Sequence, residues 1–204
     1  MRAPVARVQV SERPNIFTLD EFVSRSESAH LMTLATLNFT PARELKSDLL
    51  SNENRAFNGS AAALYVSLCD AVVRNIERRV GRTFELPASH VEPLSVLRYQ
   101  AGHRYAAHVD YFDRERLEHN RLHGDLSGQR SASFLVYLQA PAAGGETHYL
   151  KLDRKIGGRE RMALCHLNCL PSGEPDPLTL HTGEPVTAGE KWLARTTLRE
   201  RPLY

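Results

Sequence analysis

Two hydrophobic periodicities divide the chain: helical spacing up to about residue 81, then short apolar runs separated by turn residues from Pro93 onward. In the first part Phe22, Val23, Leu31, Leu34 and Leu37 predict a helix over Ser24 to Leu37, with Asp20 or Ser24 available as its cap. A short strand, Asn15 to Leu19, precedes it, and residues 1 to 14 read as a mobile or edge segment. Leu64, Leu68, Val72, Ile76 and Val80 recur every four residues, joined by Tyr65, Cys69 and Val73. This stripe predicts a second helix capped by Ser60 and stopped by Gly81, bracing one face of a sheet. Asp70, Arg74, Glu77 and Arg78 fall outside it and read as a solvated face. Residues 38 to 60, with Pro41, Asn52, Asn54, Asn58 and Gly59, read as loop interrupted by short helix.

The later runs predict strands at Leu94 to Tyr99, Phe134 to Gln139, Thr147 to Leu152, Arg161 to Asn168, Leu178 to His181 and Lys191 to Leu198. Helices followed by many short strands imply an α+β fold in which a jelly-roll or cupin-like barrel, a double-stranded β-helix, is braced by N-terminal helices. Residues 15–92 would be mainly helical support and 93–204 the barrel. Tyr111 to Gln129 is the longest polar insertion, and a connection of that length in a compact domain is commonly functional or disordered, so a lid is one reading of it.

With 204 residues, 42% of them hydrophobic, the chain can close one sizeable core, and a single domain over 1–204 is expected. Its formal charge of +2 and the lack of any Lys/Arg block give no case for nucleic acid. No apolar run suggests a signal peptide or membrane span, so no membrane partner and a cytoplasmic location are expected. Cys69, Cys165 and Cys169 lack paired C-x-x-C spacing, which argues against a disulfide scaffold or zinc ribbon. Cys165-His166 with Cys169 invites a zinc reading, but the interleaved Leu164, Leu167 and Leu170 favour buried thiols. The His119 and His123 pair is read as solvent-exposed imidazoles without a third ligand.

The chemistry concentrates in Leu97 to Asp110. In an extended segment His108 and Asp110 point the same way and can offer a nitrogen and a carboxylate oxygen to one ion. An H-x-D triplet alone is common. His181 supplies a third ligand from the segment Leu178-Thr179-Leu180-His181, and two imidazoles with one carboxylate favour non-haem Fe(II) oxygen chemistry. Ten residues further on, Lys191 would return a cation to the same cavity for an anionic co-substrate.

Together with Arg130 to Leu138 (RSASFLVYL), Gly144-Gly145-Glu146-Thr147, His181 to Val186 (HTGEPV) and Gly189-Glu190-Lys191-Trp192, these residues give a family resemblance. The chain resembles a prolyl 4-hydroxylase type dioxygenase dependent on Fe(II) and 2-oxoglutarate. The resemblance implies Fe(II) held by His108, Asp110 and His181, and 2-oxoglutarate and O2 as co-substrates, with succinate and CO2 as co-products. Ascorbate would serve as reductant. It further implies that Lys191 pairs with the distal carboxylate of 2-oxoglutarate, that Tyr99 and Thr147 help bind the acid, and that Glu146 ties its turn to the barrel. Because Asp110 is present, hydroxylation is favoured over halogenation; desaturation or ring closure would use the same ligands.

The implied substrate is a prolyl or other residue of a peptide or protein, the alternative being a free amino acid or other carboxylate-bearing metabolite. A barrel that only binds is a third reading, disfavoured because all three ligands and Lys191 are present. Arg55, Arg130 and Arg195 are the substrate-side candidates. Two departures bear on this choice. Arg55-Ala56-Phe57 keeps only the Arg of the family's Arg-Thr-Ser, and Arg195 and Thr197 stand where similar enzymes often carry Thr and Trp. By alternation Lys191, Leu193, Arg195 and Thr197 share the inward face, so Arg195 should pair with a protein carboxylate or with an acidic group on substrate or co-substrate. The sequence leaves the oligomeric state open.

Overall fold

The computed structural model describes residues 6–41, 60–63 and 70–204. The chain enters as an edge hairpin, β1 (Arg7–Ser11) against β2 (Ile16–Leu19), which realises the edge reading of the N-terminal segment. Helix α1 (Arg25–Asn38) starts at Ser24 through a capping box: the Ser24 hydroxyl accepts from the Glu27 N–H, and the Glu27 carboxylate accepts from the Ser24 N–H.

After β3 (Thr40–Pro41), the expected cap Ser60 instead opens β4 (Ser60–Ala63), which pairs with β5 (Ser95–Tyr99) in the register Ser60 to Arg98. Helix α2 (Ala71–Thr83) begins a good deal later, at Asp70, whose carboxylate accepts from the Val72 and Val73 N–H groups at 2.9 and 3.0 Å and also meets His30 Nε2 at 2.7 Å. A short acceptor side chain at the cap satisfies N–H groups that lack an intrahelical partner, which an aliphatic stripe cannot do. Asp70 is therefore a cap, not part of a solvated face. Glu77 is likewise buried, its carboxylate 3.4 Å from the Leu94 N–H. Gly81 does not stop the helix, which runs on to Thr83. The glycine is needed for close approach, since a Cβ there would sit 2.5 Å from the Leu86 carbonyl oxygen. Of the loop expected over residues 38 to 60, the ends belong instead to α1, β3 and β4, and 42–59 with Arg55 lie outside the described residues, as do the stripe members Leu64, Tyr65, Leu68 and Cys69.

The remaining elements are β6 (Tyr105–His108), α3 (Arg114–Leu122), β7 (Arg130–Gln139), β8 (Ala143–Gly144), β9 (Thr147–Tyr149), β10 (Arg154–Ile156), β11 (Ala163–Leu167), β12 (His181–Gly183), β13 (Val186–Ala188) and β14 (Lys191–Arg199). Among the described residues the major sheet runs β1-β2-β11-β7-β14-β5-β4-β3, the minor sheet β10-β9-β12-β6, and β13 pairs with β8. All these pairings are antiparallel. The architecture is the expected α+β double-stranded β-helix of jelly-roll type. The region 15–92 is less purely helical than expected, because β2, β3 and β4 extend the major sheet.

Position within the layers explains the sequence of β7. Phe134, Val136 and Ala132 face the helices, where they join Phe22, Leu31, Val73, Ile76 and Val80. Leu135 and Tyr137 face the minor sheet and pack with Leu97, Tyr99, Tyr149 and Leu193. A strand covered on both faces reads as one apolar run, as RSASFLVYL does from Phe134 onward.

Two stretches differ from their expected form. Pro177–Thr179 is a turn of 3-10 helix, not a strand, because Asp176 accepts from the Leu178 N–H at 3.0 Å; extended pairing starts only at His181. The polar insertion holds α3, capped by Asp113, so it is not simply an irregular loop. Its base is tied down by paired hydrogen bonds between Gln129 and the Phe112 backbone and by Arg199 on Asp125.

Candidate metal centre and cavity

The minor sheet brings His108 and His181 side by side, since β6 and β12 pair in the register His108 to His181. The two ring centroids are 4.3 Å apart. Asp110 lies just past the end of β6, where the chain bends, and its carboxylate oxygens reach to 3.5 Å from His108 Nε2 and 3.9 Å from His181 Nε2. One ligand atom from each of the three lies within 4.8 Å of the others, close enough to share a cation. Among the described residues no other cluster of His, Cys, Asp or Glu meets this geometry, His119 and His123 included. His123 is exposed, His119 is half-buried, and their rings stack at 4.1 Å.

Hydrogen bonding has already chosen the imidazole tautomers. Nδ1 of His108 lies 2.8 Å from the Ala106 carbonyl oxygen, and Nδ1 of His181 lies 2.9 Å from that of Thr179. A carbonyl only accepts, so each Nδ1 carries the proton and each Nε2 keeps its lone pair for the site. Burial, reinforced by the neighbouring His108, pushes His181 down to about 3, so no proton competes for that lone pair. For Asp110, burial acts to raise the carboxyl, but the close approach of His108 and His166 outweighs it and holds the group well below the usual carboxylate range. Neutral imidazoles and an ionised carboxylate form the donor set that Fe(II) takes, and these residues fit the metal.

Around Asp110 lies a polar support that the sequence reading did not identify. Ser133 Oγ donates to Asp110 Oδ2 at 2.6 Å, and Asn168 Nδ2 donates to Ser133 Oγ at 3.0 Å. His166, fully buried, places Nε2 3.5 Å from the same carboxylate oxygen, while its Nδ1 meets the Tyr149 hydroxyl at 2.8 Å. Of the thiols expected to be buried, Cys165 is fully buried and Cys169 only half-buried. His166 beside them is nevertheless more than filler. The available signal was the alternation His166-Leu167-Asn168: two polar residues two apart in an apolar strand share one face, and a buried polar face needs partners.

The ligands open onto a cavity that is continuous with solvent at its mouth and walled on the opposite side by β14. Lys191, Leu193, Arg195 and Thr197 all line it, as alternation predicted, together with Tyr99 and Thr147. Lys191 Nζ donates to the Gly145 carbonyl oxygen at 2.8 Å and lies 4.6 Å from the centre of the Tyr99 ring. Burial lowers this lysine to about 8, with Glu146 pulling weakly the other way. Gly145 is required beside it: its φ is +73°, and a Cβ would press within 3.3 Å of Lys191 Cδ. Thr147 Oγ1 and the Tyr137 hydroxyl are 2.9 Å apart, and burial raises Tyr137 to about 12, so it stays a neutral hydrogen-bonding group. Tyr105, also unforeseen, stacks on His108 with ring centres 4.1 Å apart and lines the same space. Glu146 meets the turn through its backbone, its carbonyl oxygen accepting from the Glu184 N–H at 2.8 Å.

The three arginine candidates part company. Arg130 does not line the cavity; its guanidinium makes a two-pronged bond to Glu92 at 2.9 and 2.8 Å. Arg195 lines it. Arg55 lies outside the described residues.

Comparison with known proteins agrees with this geometry. Residues 94–198 match the 2OG-Fe(II) oxygenase superfamily. Two Arabidopsis thaliana proteins, a probable prolyl 4-hydroxylase 4 and a prolyl 4-hydroxylase 2, are each 30% identical over 91% of this chain and 67% of their own length. Among solved structures, the 2OG complex of the viral collagen prolyl hydroxylase from Paramecium Bursaria Chlorella virus-1 superposes with a TM-score of 0.68 at 25% identity, covering 90% of this chain and 95% of that one. A prolyl-4-hydroxylase from Pseudomonas putida, 16% identical with a TM-score of 0.55 over 91% of this chain and 92% of its own, shares the fold. With the ligand triad, the buried lysine and these matches in agreement, the chain belongs to the 2OG-Fe(II) oxygenase superfamily.

Proposed function

We propose that this protein is an Fe(II)- and 2-oxoglutarate-dependent dioxygenase that hydroxylates an amino-acid residue of a peptide or protein, a prolyl residue first among them. The observation that carries the reading is the convergence of His108, Asp110 and His181 in one cavity with the buried cation of Lys191. The prolyl assignment is supported by the relatives named above, whose printed names are those of prolyl 4-hydroxylases.

Each residue then has a definite task. His108 and His181 present Nε2 lone pairs held in place by backbone carbonyls, and Asp110 presents a carboxylate oriented by Ser133. Metal and 2-oxoglutarate, when bound, would activate O2, one oxygen atom entering succinate as the acid loses CO2 and the other becoming the hydroxyl of the product. Lys191 offers the counter-charge for the distal carboxylate of the acid, and the Tyr99 ring and Thr147 hydroxyl complete that end of the cavity. Leu97, Leu135 and Leu193 supply the apolar wall that limits water near the reacting bond. Ascorbate is the expected reductant, checked by whether it increases total turnovers without altering the product.

The test is to incubate the protein with Fe(II), 2-oxoglutarate and proline-containing peptides in air. Succinate should form, and a peptide should gain one oxygen on proline. Absence of succinate formation under every metal and substrate condition would overturn the dioxygenase reading. Succinate formation with oxygen found on another residue would overturn the prolyl assignment alone.

A further inference from the structure

The cavity holds a second fixed cation that the family reaction, as set out above, does not use. Arg195 stands four residues along β14 from Lys191 on the same inward face, and its charge acts on the buried Tyr99 hydroxyl. Its Nε is buried without a hydrogen-bond partner, and its side chain forms no hydrogen bond or ion pair among the described residues. Other sheltered arginines are treated differently. Arg79 is bound to Glu27, Arg98 to Glu190, Arg130 to Glu92, and Arg199 to both Glu92 and Asp125. A sheltered guanidinium with unmade hydrogen bonds is costly, and its planar donors match a carboxylate.

The charges in the cavity point the same way. Asp110 is the acidic residue in its wall, facing Lys191 and Arg195. With a divalent metal added the site carries a formal charge of +3. A dianionic 2-oxoglutarate reduces this to +1, leaving one positive charge to be matched. The two ends of β14 also separate the tasks. Lys191 sits opposite Tyr99 in the strand register, whereas Thr197 sits opposite Ser133, the residue that supports Asp110. Arg195 therefore lies along β14 between the lysine end and the metal end of the cavity.

We propose that Arg195 receives a carboxylate of the substrate, so that the residue to be hydroxylated carries, or lies next to, a free carboxylate. A free amino acid and the C-terminal residue of a peptide both present that chemistry, and an internal residue of a long chain does not. This rests on the dioxygenase reading and narrows its substrate class.

The experiment uses the full chain loaded with Mn(II) and 2-oxoglutarate, so that no turnover occurs, and reads thermal shift. The probes are proline and the other common amino acids as free acids and as carboxamides, and short proline-ended peptides with a free or an amidated C-terminus. At least one free acid should bind, with its amide weaker by about 10- to 100-fold, the range expected for a lost charge-assisted hydrogen bond. Free amino acids and acid-ended peptides tell the two sources apart. Arg195→Leu should lose that discrimination while keeping the shift given by 2-oxoglutarate itself; Arg195→Lys should restore part of the binding. Equal binding of acids and amides, no binding by any acid, or unchanged discrimination in Arg195→Leu would overturn the proposal. Loss of the 2-oxoglutarate shift in Arg195→Leu would also overturn it, assigning the arginine to the co-substrate. Failure of wild type to form succinate is a separate result that removes the dioxygenase reading beneath it.

Discussion

Replacing Lys191 with methionine should strengthen the empty fold and weaken its hold on 2-oxoglutarate. Lys191 is 1% exposed, and its ammonium has the Gly145 carbonyl oxygen at 2.8 Å as its hydrogen-bond acceptor. Burial lowers it from its ordinary 10.5 to about 8, a difference corresponding to about 3 kcal/mol of unfavourable charge burial below pH 8. Methionine keeps much of the apolar stem and removes the charge, so the unliganded variant should gain about 1–3 kcal/mol at pH 7, less whatever the lost hydrogen bond contributed. The sign follows from linkage. Between pH 8 and 10.5 the unfolded lysine holds a proton that the folded one has shed, so this group's contribution makes wild type more stable as pH rises through that window. The advantage of Lys191→Met should fade over the same range. Binding runs the other way, because the dianion selects the protonated lysine, and wild-type affinity for 2-oxoglutarate should fall as pH passes about 8. Removing the counter-charge should raise the 2-oxoglutarate requirement by roughly 10- to 100-fold at pH 7. Urea unfolding of the metal-free protein and titration with 2-oxoglutarate, each at several pH values, read both effects. A variant that is less stable than wild type and binds 2-oxoglutarate unchanged would refute the reasoning.

Other residues give sharper local tests. Ser133→Ala should weaken Fe(II) binding by about 10- to 100-fold by removing the 2.6 Å bond that orients Asp110, measured by metal titration under anaerobic conditions; unaltered affinity would show that Asp110 needs no such support. Asp70→Ala should lower stability by about 1 kcal/mol through loss of the α2 cap while leaving 2-oxoglutarate binding intact. Ile76→Ala, in the fully buried helix-to-sheet layer, should cost about 2–5 kcal/mol in chemical denaturation, and a loss below 1 kcal/mol would argue against that packing.

The chemistry was more legible in the sequence than some of its local scaffolding. His108, Asp110, His181 and Lys191 become legible as a set, through residue type and the family resemblance and not through the common H-x-D spacing alone, and the inward alternation of Lys191, Leu193, Arg195 and Thr197 follows directly from the two-residue period of a strand. By contrast Ser60-Ala61-Ala62-Ala63 has strong local helix preference, yet pairing with β5 makes it a strand; long-range partners override propensity there. Leu178 to His181 reads as a strand from the sequence, whereas the Asp176 side chain sets a turn over Pro177–Thr179. Ser133, His166 and Asn168 were hidden for another reason. Ser133 and His166 meet Asp110, and Asn168 meets Ser133, only when β7 and β11 lie side by side; these contacts span 23 to 56 positions of chain, and the His166-Leu167-Asn168 alternation marks a polar face without naming its partners.

The most direct test of the account is succinate formation from 2-oxoglutarate, measured in air with added Fe(II), for wild type against His181→Ala. Because His181 is one of the three proposed ligands and lines an open cavity, the variant should remain folded and lose turnover by at least about 100-fold. Chelation of the metal should abolish the wild-type signal as completely. Near wild-type succinate formation by a folded His181→Ala protein would contradict the assignment of this triad as the metal centre.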